Sequence, residues 1–258
     1  MPHRSWLRRL LLSASLGAAC VSGPGCLSFL HPVSLPPGEV EGIVGDLPGP
    51  SQRGVDVFVF NGADPLWYAN VAGLRDHLVG AGFKRVWFGE VYHAHDFRQQ
   101  ARMIRKHTPR EKIVIVGFDY GAEAARSMAC DLAAEGIEIE TLILLEPHGL
   151  SLTPTSPLLP ILRKVVVSGH NHWSIGEPIR GHEMIRLPGV TRYQVPSSPA
   201  TVRLITHEVM QAALRVEVIG PSPIPIDLRE LPPPPRPILD PNAPLPPDWE
   251  WIRSGMPR

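Results

Sequence analysis

Ile113-Val114-Ile115-Val116-Gly117-Phe118-Asp119-Tyr120-Gly121-Ala122-Glu123-Ala124-Ala125 decides the fold. Four β-branched apolar residues read as a buried strand, and the small-residue run after Gly121 reads as a helix. Between them two glycines flank Phe118-Asp119-Tyr120. Glycines let the chain turn sharply and let a helix pack close to its strand. Strand, tight turn and helix in this order push Asp119 up at the carboxyl end of a sheet, where open α/β sheets place their sites.

Working outward, the apolar runs Val55–Phe60, Arg85–Phe88, Ile113–Val116, Thr141–Leu145 and Lys164–Val167 predict strands, with a weaker sixth at Glu183–Leu187. Helical patterns fall at 66–80, 95–107 and 121–135, between the first four strands. Such alternation predicts a parallel sheet covered on both faces. A last amphipathic stretch, Pro199 to Val216, opens on Ser197-Ser198-Pro199, a cap followed by proline in the first turn.

At 258 residues, with 43% apolar residues, the chain can bury one full-sized core. Its formal net charge is zero, which gives no pull toward nucleic acid. Three cysteines are too few for a disulfide framework, and Cys130 is the one thiol expected inside the folded body. No glycine-rich phosphate loop is present, and no cofactor is implied.

The two ends differ from the middle. Arg4, Arg8 and Arg9 precede an apolar stretch, Leu10 to Val21, which is the pattern of an export signal over residues 1–21. The stretch falls short of the roughly 20 apolar residues of a membrane span. It is read either as a cleaved signal peptide or as a lipoprotein signal with Cys20 acylated. Leu16-Gly17-Ala18-Ala19-Cys20 resembles a lipobox, although its leucine lies one place too far upstream. Residues 22–53, rich in Gly, Pro and Ser, are expected to form a tether. Residues 54–218 carry the fold, and 219–258 form a proline-rich, disordered tail. The expected location is the cell envelope or periplasm, with peripheral membrane attachment if Cys20 carries lipid.

Asn61-Gly62 after the first strand, the turn at 117–121 and Leu144-Leu145-Glu146-Pro147 after the fourth strand resemble, in that order, the α/β-hydrolase fold. The turn is similar to its nucleophile elbow. The resemblance spans roughly 165 residues and implies a three-layer αβα sandwich with a mostly parallel sheet and no large cap domain. It implies a nucleophile at Asp119, where serine is usual, and an oxyanion hole from the Tyr120 N–H with a second N–H near Gly62 or Ala63. It also implies an orienting acid at Glu146 and a histidine just after the last strand. There the chain reads Pro188-Gly189-Val190-Thr191-Arg192-Tyr193, without one.

Three readings of Asp119 stay open. An aspartate elbow is similar to that of epoxide hydrolases and haloalkane dehalogenases, where a carboxylate attacks carbon and a histidine-activated water cleaves the ester. Those enzymes carry a large cap, whereas about 18 residues separate Glu146 from Lys164. In a decayed serine hydrolase the carboxylate would instead occupy the oxyanion hole. Or Asp119 simply caps the following helix. His170 and His172, after the fifth strand, are candidate bases, with His148 and His207 as lesser ones.

Two His-x-His pairs, His93-Ala94-His95-Asp96 and His170-Asn171-His172, pose a metal reading, since imidazoles two apart share a face in extended chain. The first is similar to the His-x-His-x-Asp of metallo-β-lactamases, with its aspartate one residue early. The function expected is hydrolysis of an ester or similar bond with a degenerate triad. The rivals are a non-catalytic envelope protein that binds or scaffolds, and a metal binder. The partner is accordingly a small-molecule substrate or an envelope component.

Overall fold

A computed structural model describes residues 27–216 apart from 46, 48, 63, 65, 148–160 and 171–180. Its centre is one six-stranded sheet: β1 (Val55–Asn61), β2 (Arg85–Glu90), β3 (Lys112–Phe118), β4 (Ile139–Leu145), β5 (Ile161–Ser168) and β6 (Glu183–Arg186). The strands run in the order β2-β1-β3-β4-β5-β6, every pair parallel. The weak sixth run is therefore a true edge strand, pairing Val165 with Glu183 and Ser168 with Arg186.

Alternation along β1 shows how the layers form. Val55, Val57 and Val59 join one buried cluster with Leu74 and Leu78 of α3 (Val71–Gly80) and Val202, Ile205 and Val209 of α6 (Pro199–Leu214). Phe58 and Phe60 join the other, with Phe97 and Ile104 of α4 (Ala94–His107) and Met128 and Leu132 of α5 (Tyr120–Ala134). Period-two alternation on both faces, with helices on each, makes a three-layer αβα sandwich. Residues 146–160 connect β4 to β5, too short a stretch for a cap domain.

One expectation is corrected. Much of the segment read as a tether is packed: α1 (Pro37–Val44) and α2 (Gly49–Arg53) lie against the domain, and Leu35, Val44 and Leu47 are buried in the first cluster. Glu39 of α1 pairs with Arg203 of α6. Pro36-Pro37-Gly38 suggested an extended linker, but proline is accepted in a first helical turn and here it starts α1. The helix expected from residue 66 begins only at Val71, because the preceding residues are held in turns around Asp64. The leader with Cys20, and the proline-rich tail, lie outside the described residues.

Candidate functional site at the carboxyl edge of the sheet

Asp119 closes β3 with φ 58° and ψ −121°, a conformation that an L-residue rarely adopts. Backbone bonds hold it there: its N–H donates to the Leu145 carbonyl at 2.9 Å, and its carbonyl accepts from the Ala122 N–H at 3.0 Å. The glycines explain how so sharp a turn packs. A Cβ on Gly117 would stand 2.4 Å from the Gly121 carbonyl oxygen, and one on Gly121 would stand 2.6 Å from that of Asn61. The Asp119 side chain is fully buried and makes no capping hydrogen bond to α5, so the simple cap reading fails.

The loop after β1 comes up against this turn. A Cβ on Gly62 would lie 2.7 Å from the Asp119 Cβ and 2.8 Å from the Tyr120 nitrogen. Gly62 and Tyr120 are thus neighbours, as the resemblance implies; Ala63 lies outside the described residues. Glu146, one residue past the carbonyl that holds Asp119, is buried and also has positive φ, 48°. Its N–H donates to the Val167 carbonyl at 2.9 Å, and its carboxylate accepts from the Gly169 N–H at the end of β5. His170 follows, with its N–H donating to the Val190 carbonyl at 2.9 Å and its side chain exposed. His172 and His148 lie outside the described residues. His207 is on α6, exposed, beside Gln211 rather than at this edge.

What the sequence did not give is the group set against Asp119. The Arg192 guanidinium forms an ion pair with the Asp119 carboxylate, across 73 residues of chain. Arg192 comes from the segment after the last strand, where the resemblance implies a histidine. A readable signal did exist there: Thr191-x-x-Gln194 is a capping-box pattern. The Gln194 side chain accepts from the Thr191 N–H at 3.0 Å and from its hydroxyl at 2.9 Å, fixing the short turn Arg192–Gln194. Beside it the guanidinium carbon lies 5.5 Å from the Tyr193 ring centre, in cation–π range. Tyr193 in turn meets Tyr68 at 5.6 Å and Phe118 at 6.4 Å between ring centres.

Two further acids line the edge. Asp64 is buried and accepts from the N–H groups of Tyr68 at 2.9 Å and Ala69 at 2.7 Å. Burial pushes its carboxyl up; the two N–H groups pull it down, and the Asp119 charge pushes it up again. Glu90, ending β2, accepts from the Asn61 amide at 3.1 Å. Its carboxyl is raised by burial, lowered by that amide and raised by the Asp64 charge. The carboxyl ends of four adjacent strands therefore present Glu90, Asp64, Asp119 and Glu146, with Arg192 on the third.

Chemically this is not a serine–histidine relay. A guanidinium stays protonated at any physiological pH and cannot accept a proton, so Arg192 cannot fill the base's role. Nor do the histidines of the first pair converge. His93 is buried, with its Nδ1 accepting from the Glu90 N–H at 2.9 Å, and burial holds its pKa below the usual value. His95 points outward to Gln99 at 2.7 Å. Among the described residues no group of three or more His, Cys, Asp or Glu is placed to hold a metal ion.

No protein-family model matches the chain, and no curated protein does. Solved structures do. A hormone-sensitive lipase from a metagenome library is 10% identical, with TM-score 0.43, over 63% of this chain and 78% of that one. Human thioesterase 2 is 11% identical, with TM-score 0.43, over 65% of this chain and 100% of its own. A putative hydrolase of the alpha/beta superfamily from Xanthomonas campestris pv. campestris is 14% identical, with TM-score 0.40, over 62% and 97%. At such identities no residue's role passes from one chain to another.

Proposed function

Starting from a chain with an α/β-hydrolase-like fold, we propose that it is a hydrolase relative whose elbow serves binding rather than turnover. One observation carries this reading: the ion pair between Arg192 and Asp119, in the positions of base and nucleophile. A carboxylate held by a guanidinium is a weakened nucleophile, and a guanidinium stands where the resemblance implies the base. Should an ester form on Asp119, Arg192 could not activate the water needed to cleave it. On this reading the protein works in the cell envelope, delivered by its leader and tethered through Cys20 if that residue is acylated. The edge then holds a ligand instead of consuming it.

A second reading, hydrolysis of an ester or similar bond with Asp119 as nucleophile, is favoured by a different observation. The chain keeps positive φ at both Asp119 and Glu146. Strain of this kind costs on the order of 1–3 kcal/mol per residue and is found where function needs it. The Gly62 loop also packs against the Tyr120 nitrogen, where the resemblance implies an oxyanion hole.

The test is hydrolysis of a panel of acyl esters and thioesters by the purified protein, Asp119→Asn and the double variant Asp119→Ser/Arg192→His. The binding reading expects the protein and Asp119→Asn to be alike at the buffer rate, while the double variant gains turnover. Turnover by the unaltered protein that Asp119→Asn abolishes would establish the hydrolase reading instead.

A further inference from the structure

Among the described residues, most of the large apolar side chains that the fold leaves exposed lie at the same edge as the site. Phe29 is 70% and Leu30 48% exposed on the short turn Ser28–Leu30. That turn is fixed to the edge by its next residue: the His31 carbonyl accepts from the Asn70 amide at 2.8 Å, and its ring meets Tyr68 at 4.5 Å. Leu66 after β1, Tyr92 after β2, Tyr120 after β3 and Tyr193 after β6 are exposed as well. Because all six strands are parallel, every segment that follows a strand starts from this one edge. The acids there are turned inward: Asp64, Asp119 and Glu146 are buried. Among the described residues, the exposed large apolar side chains that lie apart from this edge are Val79 in α3, Leu162 at the start of β5, Met184 in β6 and Leu214 at the end of α6.

A soluble surface seldom gathers apolar side chains in this way without a partner for them. The chain outside the structure names the partner. The apolar leader Leu10–Val21 and Cys20 run into this very turn, and Phe29 follows Cys20 by nine residues. Nine residues reach at most about 30 Å. An anchor at Cys20, or a leader left in place, would therefore hold the domain with Phe29 and Leu30 nearest the bilayer. Tyrosines and leucines are side chains that settle at the headgroup boundary. Among the described residues no helix is long and apolar enough to cross a membrane.

We infer that the carboxyl edge of the sheet is a membrane-contact face: Phe29 and Leu30 enter the headgroup layer, and Leu66, Tyr92 and Tyr193 lie against it. The site around Asp119 then opens toward lipid rather than bulk water, whether or not it turns anything over.

Benzophenone photoprobes test this in the full chain, placed singly at Phe29, Tyr92, Leu162 and Leu214. Each protein is mixed with vesicles of phosphatidylethanolamine and phosphatidylglycerol, irradiated and assayed for lipid adducts. Leu162 and Leu214, each 55% exposed, match the exposure of the edge residues and serve as controls. The inference expects several-fold more adduct at both Phe29 and Tyr92 than at either control. Adduct at Phe29 alone would mean a tether with a freely tumbling domain and would overturn it. Equal adduct at all four positions, or none at any, would overturn it too.

Discussion

Both ends of the sheet bury a carboxylate against an arginine, and they do so on different backbones. At the amino edge Asp56 of β1 is fully buried, with Arg85 of β2 at 3.1 Å; Arg85 also reaches Glu111 at 2.6 Å. Asp56 sits in a regular strand, paired on one side with Arg85 and on the other with Ile113. At the carboxyl edge Asp119 meets Arg192 from a backbone forced to φ 58°. A buried ion pair therefore needs no strain. The strain at Asp119 belongs to the elbow, and that difference separates a site from a structural pair.

The largest effect should follow breaking the carboxyl-edge pair. Arg192→Met takes the guanidinium away from the buried Asp119 carboxylate, and the expected loss is about 3 kcal/mol. Asp119→Asn in the same chain should return much of it, because removing both charges spares the uncompensated one. Arg85→Met should cost about 1 kcal/mol at slightly acid pH, since Asp56 already takes a proton near pH 7. Urea unfolding of the four proteins measures all of this. Equal losses at the two edges would erase the distinction.

Next in size is the close approach that makes the elbow. Gly121→Ala puts a Cβ against the backbone oxygens of Phe60 and Asn61, neither of which can move without disturbing β1. A loss of about 2 kcal/mol is expected, as for overpacking. Gly136→Ala, where positive φ is the problem but nothing lies within 4 Å, should cost about 1 kcal/mol. A Gly121→Ala protein as stable as the parent would mean that the helix and β1 can separate there.

How much of this was legible can be read from the same residues. The strand, the turn and the small-residue helix lie within one stretch of chain, so Asp119, Tyr120 and the layer order followed from local patterns. Glu146 was placed because it directly follows an apolar run. Arg192 was not, because its pairing with Asp119 joins segments 73 residues apart and no periodicity encodes it. Asp64 escaped for a related reason: its role comes from two backbone N–H groups that converge only once Tyr68 and Ala69 are folded around it. The packed segment at 27–53 misled through composition, its prolines and glycines outweighing the few apolar residues that fill the core.

The amino edge adds a pH dependence of middling size. Burial pushes the Asp56 carboxyl up to about 7, outweighing the opposing pull of Arg85. An acid raised in the folded state binds its proton more tightly there than when unfolded. Its contribution is fully present only below the unfolded value of 3.8, shrinks as pH rises from there, and is gone once pH has passed through about 7. Between pH 6 and 8 the protein should lose about 1 kcal/mol relative to Asp56→Asn, which has no such proton. Urea midpoints of both proteins at the two pH values check it. Parallel midpoints would mean that Asp56 stays charged throughout.

The smallest effect isolates the strain itself. In the Arg192→Met background the guanidinium no longer faces residue 119, so alanine and glycine can be compared there with that charge removed. Glycine adopts positive φ freely and alanine does not, so Asp119→Gly should be more stable than Asp119→Ala by about 1 kcal/mol. At Asp56, in the Arg85→Met background, the order should reverse by roughly 0.5–1 kcal/mol, because glycine in a strand interior only adds freedom to the unfolded chain. Opposite signs at the two edges would locate the strain at the elbow alone. The same sign at both would mean that the Asp119 backbone relaxes once its ion pair is gone, and that Arg192 holds the turn as well as filling the place of a base.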